Sequence, residues 1–196
     1  KRFFFMVIDD KALSHNKIHQ AEINEQLFVK IGENDSDALA ELYRITHRAV
    51  YALVLSILKN PDLTQDVVQD TYIKIRSAAH LYQPQGKPLA WIFTIAKNMA
   101  FSAMRQNGSG ISDEEMPEND LRYSCVSDPT DRLVLSAALT ILQEEERQVV
   151  ILHAVSGVTF IEMAKAFDMP ISTVLSRYHR ALKKLKNYLI QKGAYQ

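Results

Sequence analysis

The stretch that decides the fold is Gly157-Val158-Thr159-Phe160-Ile161-Glu162-Met163-Ala164-Lys165-Ala166-Phe167-Asp168-Met169-Pro170-Ile171-Ser172-Thr173-Val174. Gly157 can stop a preceding helix in a left-handed conformation. Thr159 and Glu162 have capping-box spacing: the threonine hydroxyl accepts from the Glu162 amide while the Glu162 carboxylate reaches back. The short helix so opened is expected to carry Ile161, Ala164 and Phe167 on one side. Asp168-Met169-Pro170 reads as a tight turn, and a longer helix should follow with Ser172 as its cap. On that helix Val174, Tyr178, Leu182, Leu185 and Leu189 form an apolar stripe, which leaves Ser172, Thr173, Ser176, Arg177, Arg180 and Lys183 on other faces. No acid occurs from Met169 to Gln196. A short helix, a tight turn and a longer basic helix match helix-turn-helix docking, in which the second helix reads base edges and outlying bases neutralise phosphates. An ordinary pair of amphipathic helices is the competing reading.

Outward from this motif the pattern stays helical. Residues 38–58 place Leu39, Leu42, Tyr43, Val50, Val54, Ile57 and Leu58 at helical spacings behind Asp35 or Ser36 as cap. Asn60-Pro61-Asp62 reads as a stop and restart, and the next helix should run to about Ala79. Gln83 to Pro88 is loop chemistry. A third helix, Leu89 to Gln106, can turn Trp91, Ile92, Ile95, Met99 and Ala103 toward a core. The polar, acidic stretch beyond Asn107-Gly108-Ser109-Gly110 reads as a tether. Helices are then expected over 130–142, 144–155, 160–168 and 171–191. The fold class is all-α: two small helical domains joined by a flexible acidic linker, the C-terminal one a helix-turn-helix domain. The expected boundaries are an N-terminal extension at 1–35, a first domain at 36–106, a linker at 107–131 and a second domain at 132–192. Within the extension Ile18, Ile23, Leu27, Phe28 and Ile31 could form one more amphipathic helix, and Met6 is the expected natural start.

The chain has 196 residues and a formal net charge of zero, from 23 basic and 23 acidic side chains. That neutrality conceals segregation: residues 1–110 carry +2, residues 111–131 carry −6 and residues 132–196 carry +4. Thr71 to Ser112 contains no acid, and there Lys74, Arg76, Lys87, Lys97 and Arg105 interleave with Tyr72, Tyr82, Trp91, Phe93 and Phe101. Bases without neighbouring acids leave positive potential for phosphates, and aromatics offer stacking surfaces. Solvated basic helices around core aromatics are the alternative.

Several function classes fall away. The single cysteine, Cys125, cannot form an internal disulfide. No apolar run approaches the roughly 20 residues of a membrane span, so no membrane insertion and a cytoplasmic location are expected. Histidines 15, 19, 47, 80, 153 and 179 show no metal-ligand spacing, and no phosphate-binding glycine loop or nucleophile elbow is present. Neither metal, cofactor nor enzymatic activity is expected.

Taken together, the two blocks resemble regions two and four of an extracytoplasmic-function sigma factor, the small two-domain group of the bacterial sigma-70 family. In the first block the likeness runs through Ala38 to Tyr43, Asn60 to Tyr72, Trp91 to Asn98 and Arg105. In the second it runs through Leu139, Leu142, Arg147, Val150, Leu152, Gly157, Phe160, Glu162-Met163-Ala164 and Pro170. It continues through Thr173-Val174, Ser176-Arg177 and Arg180-Ala181. The chain departs from the family pattern at Ser102, Gln143, Asp168, Ser172 and Leu175; the family's usual residues at Asp168 and Ser172 are glycines.

The resemblance implies a non-enzymatic factor that binds core RNA polymerase and directs it to promoter DNA. It implies that the helix from Asp62 docks on the polymerase through Asp62, Asp66, Gln69 and Asp70. The three aspartates, four residues apart, line one helical face. It implies further that the 83–88 loop and the helix after it meet the −10 element through Gln85, Lys87, Lys97, Asn98 and Arg105. A non-template base would be unstacked and captured near that loop. Ser172, Thr173, Ser176, Arg177, Arg180 and Lys183 would read the −35 element in the major groove. An anti-sigma factor is an expected partner by the same likeness. Two other readings stand beside it: a stand-alone helix-turn-helix regulator, which leaves the first block unexplained, and a helical protein-interaction adaptor.

Overall fold

The computed structural model describes residues 23–106 and 129–192, and every regular element among them is helical. Helix α1 (Gln26–Gly32) is followed by α2 (Ser36–Leu58), α3 (Pro61–Ala78), a 3-10 turn (Ala79–Leu81) and α4 (Pro88–Gln106). The second block holds α5 (Pro129–Ile141), α6 (Glu144–Ser156), α7 (Phe160–Ala166) and α8 (Ile171–Gln191). Met6, Ile18, Cys125 and residues 107–128 of the expected linker lie outside the described residues.

Local chemistry sets these boundaries. Asp35 accepts from the amides of Asp37 (2.9 Å) and Ala38 (3.1 Å), so α2 starts at Ser36. Asn60 accepts from the Leu63 amide at 3.1 Å, with Pro61 in the first turn of α3. Helix α6 ends on Gly157 at φ 73°. The capping box forms in both directions: Glu162 N donates to Thr159 Oγ1 (3.2 Å) and Thr159 N to Glu162 Oε2 (2.7 Å). Ser172, however, is not the cap of α8. Pro170 occupies that position in an extended conformation, and its carbonyl accepts from the amides of Thr173 (3.0 Å) and Val174 (3.4 Å). Ser172 therefore falls inside the first turn, exposed.

Helix α2 is the centre of the first block. Phe28 and Ile31 of α1, Val67, Val68, Tyr72 and Ile75 of α3, and Leu89 and Ile92 of α4 are buried with its Leu42, Val50, Leu53 and Val54. Burial of each large apolar side chain contributes about 1.5–3 kcal/mol. Thr46 gives its one hydroxyl proton to the Leu42 carbonyl (2.7 Å), so Tyr72 must donate to Thr46 Oγ1 (2.7 Å). Burial pushes the Tyr72 phenol well above its usual range. In the second block the expected stripe of α8 is buried as a whole, against α5, α6 and α7.

The two blocks also pack on each other. Glu146 through Leu152 of α6 are buried without interruption, because α6 lies between α8 and α2. Two sequence expectations change. On α4, the buried stripe is Leu89, Ile92, Phe93, Ala96 and Ala100, while Trp91, Ile95, Met99 and Ala103 are only partly buried at its edge, and Phe167 from the second block reaches Phe93. On α7, Ile161 faces solvent and Met163 takes the core position, leaving Phe167 half-buried against α4.

Candidate functional site

Helix α3 turns Thr64, Val67, Val68, Thr71, Tyr72 and Ile75 inward, and this phase leaves Asp62, Asp66, Gln69 and Asp70 exposed. The four therefore form one acidic strip, with no lysine or arginine in the helix before Lys74. Such a strip attracts a basic protein surface and repels nucleic-acid phosphates.

The acid-free tract of the sequence supplies the 82–87 loop and α4. Gln85, Asn98 and Arg105 are exposed. Lys87 Nζ, in contrast, stands 2.7 Å from Asp168 Oδ1, in the turn of the helix-turn-helix. Half-buried Lys97 places its ammonium 5.7 Å from the ring centre of Phe167, and Phe93 lies beneath the same ring at 5.9 Å between centroids. Phe167 and Asp168 thus occupy two of the five expected −10 contacts. Asp168 has φ 51°, a left-handed backbone that aspartate tolerates better than most residues. The Lys87 ammonium holds its carboxyl below the usual aspartate range.

On α8, Ser172, Ser176, Arg180 and Lys183 are exposed along the faces away from the buried stripe, and Thr173 is half-buried. Arg177 differs from them. Its guanidinium pairs with Glu145 of α6 at 2.7 Å and lies 3.4 Å from Met169 Sδ, leaving the side chain 19% exposed. Behind α8 the rings of His153, Phe160 and Tyr178 cluster, with centroids 4.4 to 5.5 Å apart, and fix α7 against α8. The buried Glu146 carboxylate on α6 takes two bonds from Lys184, at 2.7 and 3.0 Å. Among the described residues no group of three or more His, Cys, Asp or Glu is placed to hold a metal, and no helix is long and apolar enough to cross a membrane.

Two participants, Arg48 and Glu25, escaped the sequence reading, and a third, Arg147, entered it only as part of the family likeness, with no role. Arg147, buried in α6, donates from Nε to the Ser56 carbonyl (2.5 Å) and from Nη1 to that of Leu142 (2.8 Å). Arg48 of α2 reaches the Val155 carbonyl at 3.4 Å. Glu25, ahead of α1, binds the 82–86 segment from beneath. The unbroken apolar run Val149-Val150-Ile151-Leu152 was a usable signal, because a helix without a polar face in that stretch must be covered on two sides.

Residues 42–110 match the family model for sigma-70 region 2, and residues 132–185 match the model for sigma-70 region 4. Together they take in more than half of the chain. An ECF RNA polymerase sigma factor SigK from Mycobacterium sp. (strain KMS) is 28% identical over 177 residues, covering 83% of this chain and 89% of that one. SigK of Mycobacterium tuberculosis (strain ATCC 25618 / H37Rv) is 27% identical over 179 residues, covering 84% and 92%. Among solved structures, sigma factor RpoE in complex with the anti-sigma factor NepR from Bartonella quintana superposes with a TM-score of 0.57 at 26% identity, covering 76% of this chain and 95% of that one. CnrH in complex with the cytosolic domain of CnrY shares the fold, with a TM-score of 0.63 at 22% identity, covering 85% and 97%.

Proposed function

The chain belongs to the extracytoplasmic-function group of the sigma-70 family, factors that direct transcription initiation by RNA polymerase, and from that premise we propose which of its surfaces performs each task. The first block, 36–106, is region 2; the second, 132–192, is region 4; the expected linker, 107–131, joins them, its last three residues already in α5, and residues 1–35 precede them. The acidic strip Asp62, Asp66, Gln69 and Asp70 binds core polymerase. Gln85, Lys87, Lys97, Asn98 and Arg105 engage the −10 element and capture an unstacked base, whose extraction costs a few kcal/mol that stacking and phosphate contacts offset. Ser172, Thr173, Ser176, Arg180 and Lys183 reach the −35 major groove from α8, with Arg177 entering once it leaves Glu145. An anti-sigma factor is the proposed inhibitory partner, supported by the likeness to RpoE bound to NepR.

The observation that carries this reading is the order of the two matched regions on two helical blocks, each exposing a charge pattern suited to its target. A stand-alone regulator would have no use for the acidic strip of α3. The test is transcription in vitro with core RNA polymerase and a randomised promoter library. Wild-type protein should select two-element promoters. Asp66→Lys/Asp70→Lys should lose polymerase binding, and Arg177→Ala should weaken −35 selection while the holoenzyme still assembles. Selection of DNA sites without polymerase, at equal affinity, would instead favour the stand-alone regulator.

A further inference from the structure

We propose that Glu25 is a positioning residue for the −10 loop, holding Tyr82 to Lys87 in the shape that captures an unstacked base. The proposal rests on the assignment of Gln85 and Lys87 made above. Glu25 and α1 lie outside the region 2 match, which begins at residue 42.

Glu25 is the N-cap residue of α1, but its side chain makes no cap bond there; Asn24 Oδ1 accepts from the Gln26 amide instead, at 3.0 Å. Its Oε1 accepts two bonds from a distant loop, one from the Tyr82 hydroxyl (2.5 Å) and one from the Gly86 amide (2.8 Å). Gly86 has φ 69°, a left-handed backbone, and nothing lies within 4 Å of where its side chain would be. This conformation presents the Gly86 amide to the carboxylate. Below the loop Phe28, 1% exposed, stacks on the Tyr82 ring at 4.0 Å, and both rings meet Trp91 edge-on at 5.3 and 5.4 Å. The loop is thus pinned at Tyr82 by ring and hydroxyl and at Gly86 by its backbone. Gln85 lies between the pins and Lys87 follows the second.

A carboxylate beside a DNA path would repel phosphates if it were free. Here its charge is engaged by two donors beneath the loop. Burial, and then the Glu25 bond, push the Tyr82 phenol well above its usual range, so it remains a protonated donor at physiological pH. The loop is ordered before the base arrives, so its conformational entropy is not lost at capture. Glu25 acts on the promoter through loop shape and touches no base itself.

The test uses the full chain assembled with core RNA polymerase, on a promoter chosen by that holoenzyme from a randomised library. Three quantities are compared: core affinity, permanganate reactivity of −10 thymines, and the penalty for each −10 base substitution. Glu25→Ala should leave core affinity within about twofold, lower strand opening about tenfold and flatten the substitution penalties near the loop, as loss of two charge-assisted bonds implies. Glu25→Gln, which keeps an acceptor oxygen, should restore most of the opening. Because the Tyr82 bond ends on the same carboxylate, the Glu25→Ala/Tyr82→Phe pair should lose less than the product of the two single effects. Wild-type opening and penalties in Glu25→Ala overturn the proposal, as does a loss that simply tracks core affinity or melting temperature. Should Glu25→Ala fail to fold, Tyr82→Phe decides, since it keeps the ring stack; unchanged penalties there overturn the proposal. Gln85→Ala and Lys87→Ala separate this claim from the reading beneath it. If they leave opening untouched, the −10 assignment fails; if they reduce it while Glu25→Ala does not, only the positioning role fails.

Discussion

Arg147 Nε donates to the backbone carbonyl of Ser56 at 2.5 Å, a bond that runs from region 4 into the central helix of region 2. The same guanidinium serves Leu142 and, at 3.4 Å, Leu139, so one buried cation closes three carbonyls at the joint between the blocks. Burial lowers its pKa from the usual arginine value, against a smaller opposing pull from Glu144. The charge is retained, as it is for arginine generally in proteins.

Arg147→Met should therefore cost about 2–4 kcal/mol, because buried carbonyls lose a charged donor that methionine cannot replace. Arg147→Lys should recover little of this, since an ammonium lacks the planar fork. Denaturant unfolding measures the loss, and small-angle scattering should show a larger radius of gyration in the folded variant.

Lys184→Met leaves Glu146 buried without its cation. Lys184 is 45% exposed and Glu146 only 7%, so the expected cost lies below that of a fully buried pair, about 1–3 kcal/mol. Glu146→Gln/Lys184→Met should lose less than Lys184→Met alone in equilibrium unfolding, because no ion is then stranded.

The Lys87–Asp168 pair responds to acid in a defined direction. Its first cause is the bond from Lys87, which lowers the Asp168 carboxyl below the usual value of about 3.9. A depressed carboxylate supports the closed arrangement above that usual value, and its support fades as pH falls through the lowered one. An NMR titration of Asp168 should give a midpoint below that of a free aspartate, and Lys87→Met should return it. Asp168→Gly should remove the pair and the φ 51° strain together, loosening the closed form without destabilising region 4.

Salt dependence should separate the α8 cations. Arg180→Ala or Lys183→Ala, at exposed positions, should each lower the slope of log K against log salt by about 0.9 in holoenzyme–promoter binding. Glu145→Gln should do the reverse, freeing Arg177 to meet a phosphate or a base. An unchanged slope in Arg180→Ala would remove that residue from the DNA contact set.

Elements whose determinants are local could be read from the sequence. The Asp35 and Asn60 starts, the Thr159–Glu162 box and the α8 stripe each depend on residues within a turn or two of one another. The family, the two blocks and the exposed acidic strip followed from the same short-range patterns. What escaped depends on partners far along the chain. Phe167 reaches Phe93 and Lys97 of α4 from the other block, about 70 residues along the chain. Glu25 finds Tyr82 and Gly86 across 57 and 61 residues, with no spacing rule to announce it. Ser172 failed as a cap for a local reason: proline at 170 had already supplied the extended backbone that a cap requires.

The contact of Lys87 with Asp168 sets a length scale. Positions −10 and −35 are separated by about 25 base pairs, roughly 85 Å of duplex at about 3.4 Å per pair. Yet Lys87, at the end of the proposed −10 loop, stands 2.7 Å from Asp168 in the turn of the helix-turn-helix. Residues 107–128, drawn out fully, reach roughly 75 Å at about 3.4 Å per residue. On the assignment proposed above, a promoter held at both ends requires the Arg147 joint, the Phe167 contact and the Lys87 pair to separate, so each of these contacts opposes engagement of both elements at once.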